Sequence, residues 1–316
     1  MLRQMSDVLS RLREACALVA QRAHHVGVRH DRIDCYARAL GPADTEHAPA
    51  AELARAALTA EQSREARAAF WLTLDAINFG SGWFPTLRKR PGRSGYHTIE
   101  AGVRERFTSS GPWSAAELTG ITTRELAATL HQYPDHELMR LFARSLGDLG
   151  RHVQAEHGGR FEALVDSAQG SATTLVEHLA GWECFADTSN YGPIELPFLK
   201  RAQIAAADLH RAGVAAFHDL DRLTMFADNL VPHVLRLDGV LEFDPVLVGR
   251  IAREELIEHG SPEEVEIRAC AVHAVELIVA ARSAGTAAEV DSILWNRGQQ
   301  PRYKALPRHR SRCTAY

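Results

Sequence analysis

The sequence predicts a mainly α protein, and two observations lead to this prediction. Alanine-rich segments dotted with charged residues recur along the 316 residues, and apolar residues within them lie three and four positions apart, as on one face of a helix. Segments that alternate apolar and polar residues, as a half-buried strand does, are scarce. We therefore expect one helical domain over residues 1–316, with an N-terminal helical subregion over about residues 1–110.

Several helix starts carry a Ser or Thr followed three residues later by Glu or Gln. In this pattern each side chain accepts a hydrogen bond from the backbone N–H of the other residue. The pairs are Thr59/Gln62, Ser114/Glu117, Thr122/Glu125, Ser261/Glu264 and Thr286/Glu289. The last two predict a helix over about residues 262–283, opened by Pro262, and a second helix from about Ala287 to Arg297, ended by Gly298. Loops are predicted where the helical period is interrupted, at Gly80–Gly95, at Ala186–Pro197 and from Gln299 onward.

The composition excludes several classes of protein. Hydrophobic residues make up 46% and charged residues 24% of the chain, which predicts a folded core instead of extensive disorder. The net charge of −4 gives no general attraction to nucleic-acid phosphates, so no stable nucleic-acid partner is expected. No apolar run approaches the ~20 residues that span a bilayer, and we expect a cytoplasmic protein without a membrane partner.

The cysteines and histidines give no sign of a metal centre or of a disulfide framework. The five cysteines are widely spread and contain no C-x-x-C pair, which fits a reducing compartment. The pairs His131/His136 and His152/His157 are spaced by five residues, whereas metal ligands on one helix face are spaced by three or four. No glycine-rich phosphate loop follows a strand. The sequence therefore predicts no metal and no cofactor.

The segment Leu223-Thr224-Met225-Phe226-Ala227-Asp228 places a carboxylate directly after an apolar run. Burial of an acid is costly unless the acid has a role. One role is chemical, because a carboxylate can stabilise or attack a sugar with oxocarbenium character. The other is structural, because Asp228 would cap a helix opened by Asn229–Leu237. The spacing leaves both roles open.

Two further segments accompany this acid: Phe198-Leu199-Lys200-Arg201-Ala202-Gln203-Ile204 and Glu264-Val265-Glu266-Ile267-Arg268-Ala269-Cys270. With the Asp228 segment they resemble the queuosine salvage family of queuosine 5'-phosphate N-glycosylases, most closely over about residues 196–316. The resemblance implies a hydrolase that acts on N-glycosyl bonds, with a helical architecture like that of DNA glycosylases. Its substrate would be queuosine 5'-monophosphate, and its products would be ribose 5-phosphate and queuine, which is salvaged for tRNA modification.

The resemblance also implies roles for individual residues. Asp228 would be the catalytic carboxylate, as a nucleophile or as a stabiliser of the transition state. Phe226 would stack on the flat base, and Asp291 and His25 would form hydrogen bonds with the base or its side arm. Glu266 and Arg268 would support the site without touching the substrate.

The family stretch Asp-Tyr-x-x-Trp-Asp corresponds here to Asp291-Ser292-Ile293-Leu294-Trp295-Asn296. Ser292 brings no ring and Asn296 brings no charge, so we expect rearranged contacts to queuine's cationic amine or its cyclopentenediol. The candidates for the 5'-phosphate are Lys200, Arg201 and, as a second choice, the run Arg308-His309-Arg310-Ser311-Arg312. Without the family, the same residues would be interpreted as solvated helix residues and surface ion pairs.

Two other functions are compatible with the sequence. One is a glycosylase that flips a base out of DNA or RNA. Leu118-Thr119-Gly120-Ile121 loosely resembles the hairpin of such enzymes, but Thr122 stands where a second glycine is expected, and a capped turn is the alternative. The other function is a non-catalytic carrier of queuine or modified tRNA. The sequence leaves open the oligomeric state, the activity on free nucleoside and the choice between covalent and water attack.

Overall fold

A computed structural model describes residues 7–40, 62–282 and 284–316. These ranges form helices joined by short strands and turns, so the predicted mainly α class is confirmed. In chain order the elements are α1 (Val8–Arg22), β1 (Val26–Val28), α2 (His30–Ala39), α3 (Arg64–Ala76), α4 (Gly95–Ser110), α5 (Ala115–Gly120), α6 (Thr123–Thr129), α7 (Glu137–His157), α8 (Phe161–Ser167), α9 (Ala172–Ala180), β2 (Thr188–Tyr191), β3 (Ile194–Pro197), α10 (Lys200–Arg211), α11 (Val231–Leu237), β4 (Leu241–Phe243), α12 (Pro245–Ala252), α13 (Pro262–Ala281), α14 (Ala287–Arg297) and α15 (Pro301–Lys304).

The chain divides into two compact units, each built from segments that are distant in the sequence. Among the described residues, the first unit contains residues 7–40, 187–200, 221–282 and 284–312. The second unit contains residues 62–186, 201–220 and 313–316. The expectation of a single domain with an N-terminal subregion stays a prediction. No helix within the described ranges is both long enough and apolar enough to cross a membrane.

Helix α13 forms the centre of the first unit. It packs against α1, α2, α11, α14 and strands β1, β2 and β4. Apolar residues lie on all sides of it, as expected for a helix surrounded by other elements. Three charged side chains, Glu264, Glu266 and Arg268, are nevertheless fully buried on this helix. Buried charges require partners, and the partners of these three residues organise the candidate site.

Two short antiparallel ladders lie in the first unit. Strand β1 pairs with β4, and β2 pairs with β3 in a register that places Tyr191 opposite Ile194. The loop predicted over Ala186–Pro197 is therefore wrong. Its Gly192-Pro193 dipeptide is the two-residue turn of a hairpin, and Gly192 adopts a φ of +56°, which glycine tolerates at no steric cost.

The helix boundaries follow the predicted caps closely. Ser114, Thr122 and Thr286 form complete capping boxes with the glutamates three residues later. Ser261 caps α13 through the backbone N–H of Glu264, but the Glu264 carboxylate accepts from the N–H of Gly260 instead of that of Ser261. The pair Thr59/Gln62 is not testable here, because Thr59 lies outside the described residues.

In the second unit, the segment that resembles a DNA-glycosylase hairpin is a capped turn. Helix α5 ends at Gly120, and Thr122 caps the next helix, α6. Cys313, Ala315 and Tyr316 are buried in the same unit, where the N–H of Gly80 donates to the carbonyl of Tyr316 at 3.0 Å.

The buried histidine His233 of the first unit gives a test of this core. Its Nε2–H donates to the carbonyl of Tyr303 at 2.9 Å, and burial lowers the pKa of the ring from 6.5 to about 4. The unfolded chain takes up the proton at a higher pH than the folded chain, so the free energy of unfolding falls as the pH drops from 6.5 towards 4. The slope is at most about 1.4 kcal/mol per pH unit.

We expect His233→Gln, whose amide can still donate to Tyr303, to lose this contribution to the slope. Urea titrations of the wild type and His233→Gln between pH 7 and pH 4.5 measure the free energy of unfolding at each pH. All other titrating groups are common to the two proteins, so the difference between the slopes is the contribution of His233. Parallel pH profiles would show that His233 titrates alike in the folded and unfolded chains.

Candidate active site

Asp228 is held at the entrance of helix α11 in a loop that we define as residues 226–230, the Asp228 loop. Its N–H donates to the carbonyl of Phe226 at 2.6 Å, which closes a tight turn. Its Oδ1 accepts hydrogen bonds from the N–H of Leu230 at 2.8 Å and of Val231 at 3.0 Å. Oδ2 accepts no hydrogen bond from any residue that the structure describes. Asp228 therefore has the predicted capping role and still presents one oxygen for chemistry.

Three long-range hydrogen bonds fix the backbone of the Asp228 loop. The N–H of Phe226 donates to Asp291 Oδ1 at 3.0 Å. The carbonyl of Ala227 accepts from Arg268 Nε at 2.9 Å. The side-chain amide of Asn229 donates to the carbonyl of His309 at 3.1 Å. Helix α14, helix α13 and the segment after α15 thus each contribute one anchor.

Arg268 connects the Asp228 loop to the start of helix α10. Its guanidinium forms two hydrogen bonds with Asp187, at 3.0 Å and 2.7 Å, and both side chains are fully buried. It also lies 3.9 Å from the centroid of the Phe198 ring. Asp187 in turn accepts from the N–H of Lys200 at 3.0 Å. A guanidinium can satisfy so many partners because its donors are fixed in one plane.

The backbone before Lys200 is strained. Leu199 has a φ of +49°, a region that a bulky side chain rarely enters. Two hydrogen bonds to Asp187 hold this conformation, one from the N–H of Leu199 to its carbonyl at 3.1 Å and one from the N–H of Lys200 to its carboxylate. Lys200 is itself buried. Strain that the surroundings maintain is typical of functional sites.

Helix α14 lies along the Asp228 loop. Besides the Asp291 contact, a Cβ built on Gly298 would lie 2.8 Å from the Leu230 side chain, so only glycine permits this close approach. Ser292 and Asn296 are half-buried and one helical turn apart on the same face. Neither side chain forms a hydrogen bond with residues 7–40, 62–282 or 284–316. Both are therefore available to a ligand.

His25 is held on a different side of helix α13. Glu266 Oε2 accepts from three successive N–H groups, those of His24, His25 and Val26, at 3.0, 2.6 and 3.1 Å. Glu266 and Arg268 are two residues apart, so their side chains leave the helix roughly 160° from one another. No contact among the described residues joins His25 to the Asp228 loop. Hydrogen bonds thus join Asp228, Phe226 and Asp291, whereas within the described ranges those of His25 go to Asp244 and Glu266.

Arg201 belongs to the second unit, where its guanidinium is surrounded by protein. It donates to the carbonyls of Ala76, at 2.6 Å, and of Cys184, and it packs against the rings of Phe79 and Phe185. The side chain is 1% exposed. These contacts are those of a core cation.

Comparisons with known proteins identify the family of the chain. Residues 58–316 match the family model described as queuosine salvage protein. The chain belongs to the queuosine salvage protein family. A relative from Sphaerobacter thermophilus, named queuosine 5'-phosphate N-glycosylase/hydrolase, is 36% identical over 266 residues, which cover 80% of this chain and 82% of that protein. A Mus musculus relative of the same name is 26% identical over 96% of this chain and 98% of its own.

The matched range, residues 58–316, contains every residue that anchors the Asp228 loop. His25 lies before the matched range of residues 58–316. Asp187 lies within that range but in none of the motifs that identify the family in the sequence. Arg268 is the sequence feature that indicates such an acid, because an arginine among apolar residues of a buried helix requires a buried carboxylate as its partner.

Removal of Arg268 tests how strongly the site depends on it. We expect Arg268→Met to lower the free energy of unfolding by about 3–5 kcal/mol, because Asp187 is left buried without its counter-ion. Arg253→Met is the matched control: Arg253 forms an exposed pair with Glu255 at 2.7 Å, and we expect its loss to cost less than about 1 kcal/mol. Urea titration measures both.

Proposed function

We propose that this protein hydrolyses the N-glycosidic bond of queuosine 5'-phosphate and releases queuine and ribose 5-phosphate. The observation that carries the proposal is the free Oδ2 of Asp228 on a loop that three long-range hydrogen bonds hold in place. The names of the relatives supply the substrate class. Queuine released in this way would return to tRNA modification.

The proposed chemistry takes place at the anomeric carbon of the ribose. Cleavage of the bond to the base leaves positive charge on the sugar, and a carboxylate held below that carbon stabilises the charge. Asp228 is suited to this because Oδ1 is fixed by two N–H donors and cannot rotate away. The base departs with the bonding electron pair and takes up a proton; water adds to the sugar and gives up a proton, so one water is consumed overall. From this geometry Oδ2 can either attack the anomeric carbon directly or activate the water that attacks it.

The base is proposed to bind beside helix α14. Asp291 holds the backbone N–H of Phe226, the residue whose ring would stack on the base, and so positions that ring. Ser292 and Asn296 would offer hydrogen bonds to the polar substituents of queuine. For His25 the proposal rests on the family resemblance alone.

For the phosphate we favour Lys200 over Arg201. Lys200 lies one residue beyond the strained Leu199 and is tied to the Arg268 network through Asp187. The guanidinium of Arg201 has carbonyl and aromatic partners of its own. The cytoplasmic location and the absence of a stable nucleic-acid complex also belong to the proposal, supported by five free cysteines and a net charge of −4.

The first test is Asp228→Asn. We expect it to lower the rate of queuine release from queuosine 5'-phosphate by at least about 10²-fold, because the amide can still cap α11 but carries no charge to stabilise the sugar. Mass spectrometry of the released base measures the rate. The matched control is Asp7→Asn, since Asp7 Oδ1 accepts from the N–H groups two and three residues on, at 3.0 Å each, at the start of α1.

The outcomes separate the competing functions. Equal release by the wild type and Asp228→Asn would move the chemistry to another residue. Tight binding of queuine without turnover by the wild type would favour a carrier. Release of base from oligonucleotides, with a steep dependence on salt, would favour a nucleic-acid glycosylase.

Replacement of Lys200 tests the phosphate contact. We expect Lys200→Met to reduce kcat/KM for queuosine 5'-phosphate roughly 10-fold or more, while kcat/KM for the nucleoside queuosine changes little, because only the nucleotide carries the dianion. Steady-state assays on both substrates measure the two values. An equal loss on both substrates would assign Lys200 to the structure of the loop instead.

A further inference from the structure

Arg308 is a cation that no hydrogen bond or ion pair engages among the residues that the structure describes. Its side chain is mostly buried, yet it forms no hydrogen bond and no ion pair in the described part of the chain. The neighbouring Arg310 differs, because it donates to the carbonyl of Glu254 at 3.1 Å and lies 3.4 Å from its carboxylate. An arginine whose stem is largely buried while its guanidinium bonds no described residue has donors available for an anionic ligand.

The backbone on both sides of Arg308 is fixed. The carbonyl of Pro307 accepts from Arg236 at 3.5 Å, and the carbonyl of His309 accepts from Asn229 at 3.1 Å. The carbonyl of Arg310 accepts from the N–H of Ile257 at 2.9 Å. Arg308 therefore starts from a rigid segment, and the His309 anchor places that segment directly beside the Asp228 loop.

Arg308 lies close enough to Asp228 for their charges to interact, on a segment whose His309 carbonyl bonds Asn229. Burial lowers the pKa of Arg308 and is the larger effect. The negative charge of Asp228 acts in the opposite direction and raises that pKa. No ion pair forms between them, and Oδ2 of Asp228 stays open. An acid and an arginine on adjacent segments can each engage one end of ribose 5-phosphate, whose anomeric carbon and phosphate lie on opposite sides of one sugar ring.

We propose that Arg308 binds the 5'-phosphate of the nucleotide, with the ribose between Arg308 and Asp228. This inference rests on the proposed function and adds a residue that determines specificity for the nucleotide over the nucleoside. A guanidinium offers two parallel N–H donors to a phosphate, a stronger and more directional contact than an ammonium gives. Lys200 would then supply a second, less directional charge.

The test compares Arg308→Met with Arg310→Met, a matched change two residues further along the same segment. We expect Arg308→Met to raise KM for queuosine 5'-phosphate roughly 10- to 100-fold and to leave kcat/KM for queuosine within about threefold of wild type. Arg310→Met should leave both within about threefold, because its partner is Glu254. An equal loss on both substrates, or no loss on the nucleotide, would overturn the proposal.

A binding measurement separates this inference from the proposed activity. By calorimetry, ribose 5-phosphate should bind the wild type roughly 10-fold or more tightly than it binds Arg308→Met. Equal affinity would overturn the role of Arg308 even if the wild type is active. Weaker binding by the variant would support that role even if the wild type released no queuine, in which case only the proposed function fails. Arg308→Lys, which keeps the charge, should recover part of the affinity; if it does not, the contact is not electrostatic.

Discussion

The buried pair of Arg268 and Asp187 is the interaction on which the candidate site depends. One guanidinium satisfies the carboxylate of Asp187 and the carbonyl of Ala227, while the same carboxylate holds the N–H of Lys200. Two fully buried charges are costly to desolvate, and these additional hydrogen bonds help to offset the cost. The pair therefore couples the geometry of the Asp228 loop to the start of helix α10. A shift of Arg268 or of Asp187 would break their ion pair and leave a buried charge with fewer partners.

The Asp228 loop shows how a capping role leaves one carboxylate oxygen open for the proposed chemistry. A cap normally uses one oxygen, so the second is free to act on a ligand. Because the N–H donors of Leu230 and Val231 orient the group, little reorganisation is needed when charge develops on a sugar. The capping role and the proposed chemical role of Asp228 are therefore compatible, because the cap uses only Oδ1.

Local features of the structure follow from the sequence, whereas distant pairings do not. Caps such as Thr286 and helices such as Ala287–Arg297 depend on neighbours within one turn, and they were predictable. Asp187 lies 81 residues from Arg268, and nothing in the sequence distinguishes it from the other acids. The position of His25 depends on which face of α13 carries Glu266, which becomes clear only once the helix is placed among its neighbours. The sequence predicts a loop at the β2–β3 hairpin because glycine and proline are typical both of loops and of the turn of a hairpin.

The anchors of the Asp228 loop also set an order of events during synthesis. Ala227 meets Arg268 after 41 further residues, Phe226 meets Asp291 after 65, and Asn229 meets His309 after 80. At about 5–20 residues per second, the last anchor follows the loop by roughly 4–16 s. Throughout that interval the segment that carries Asp228 lacks at least one of its three anchors. The arrangement that the proposed chemistry requires is therefore complete only after His309 has been synthesised.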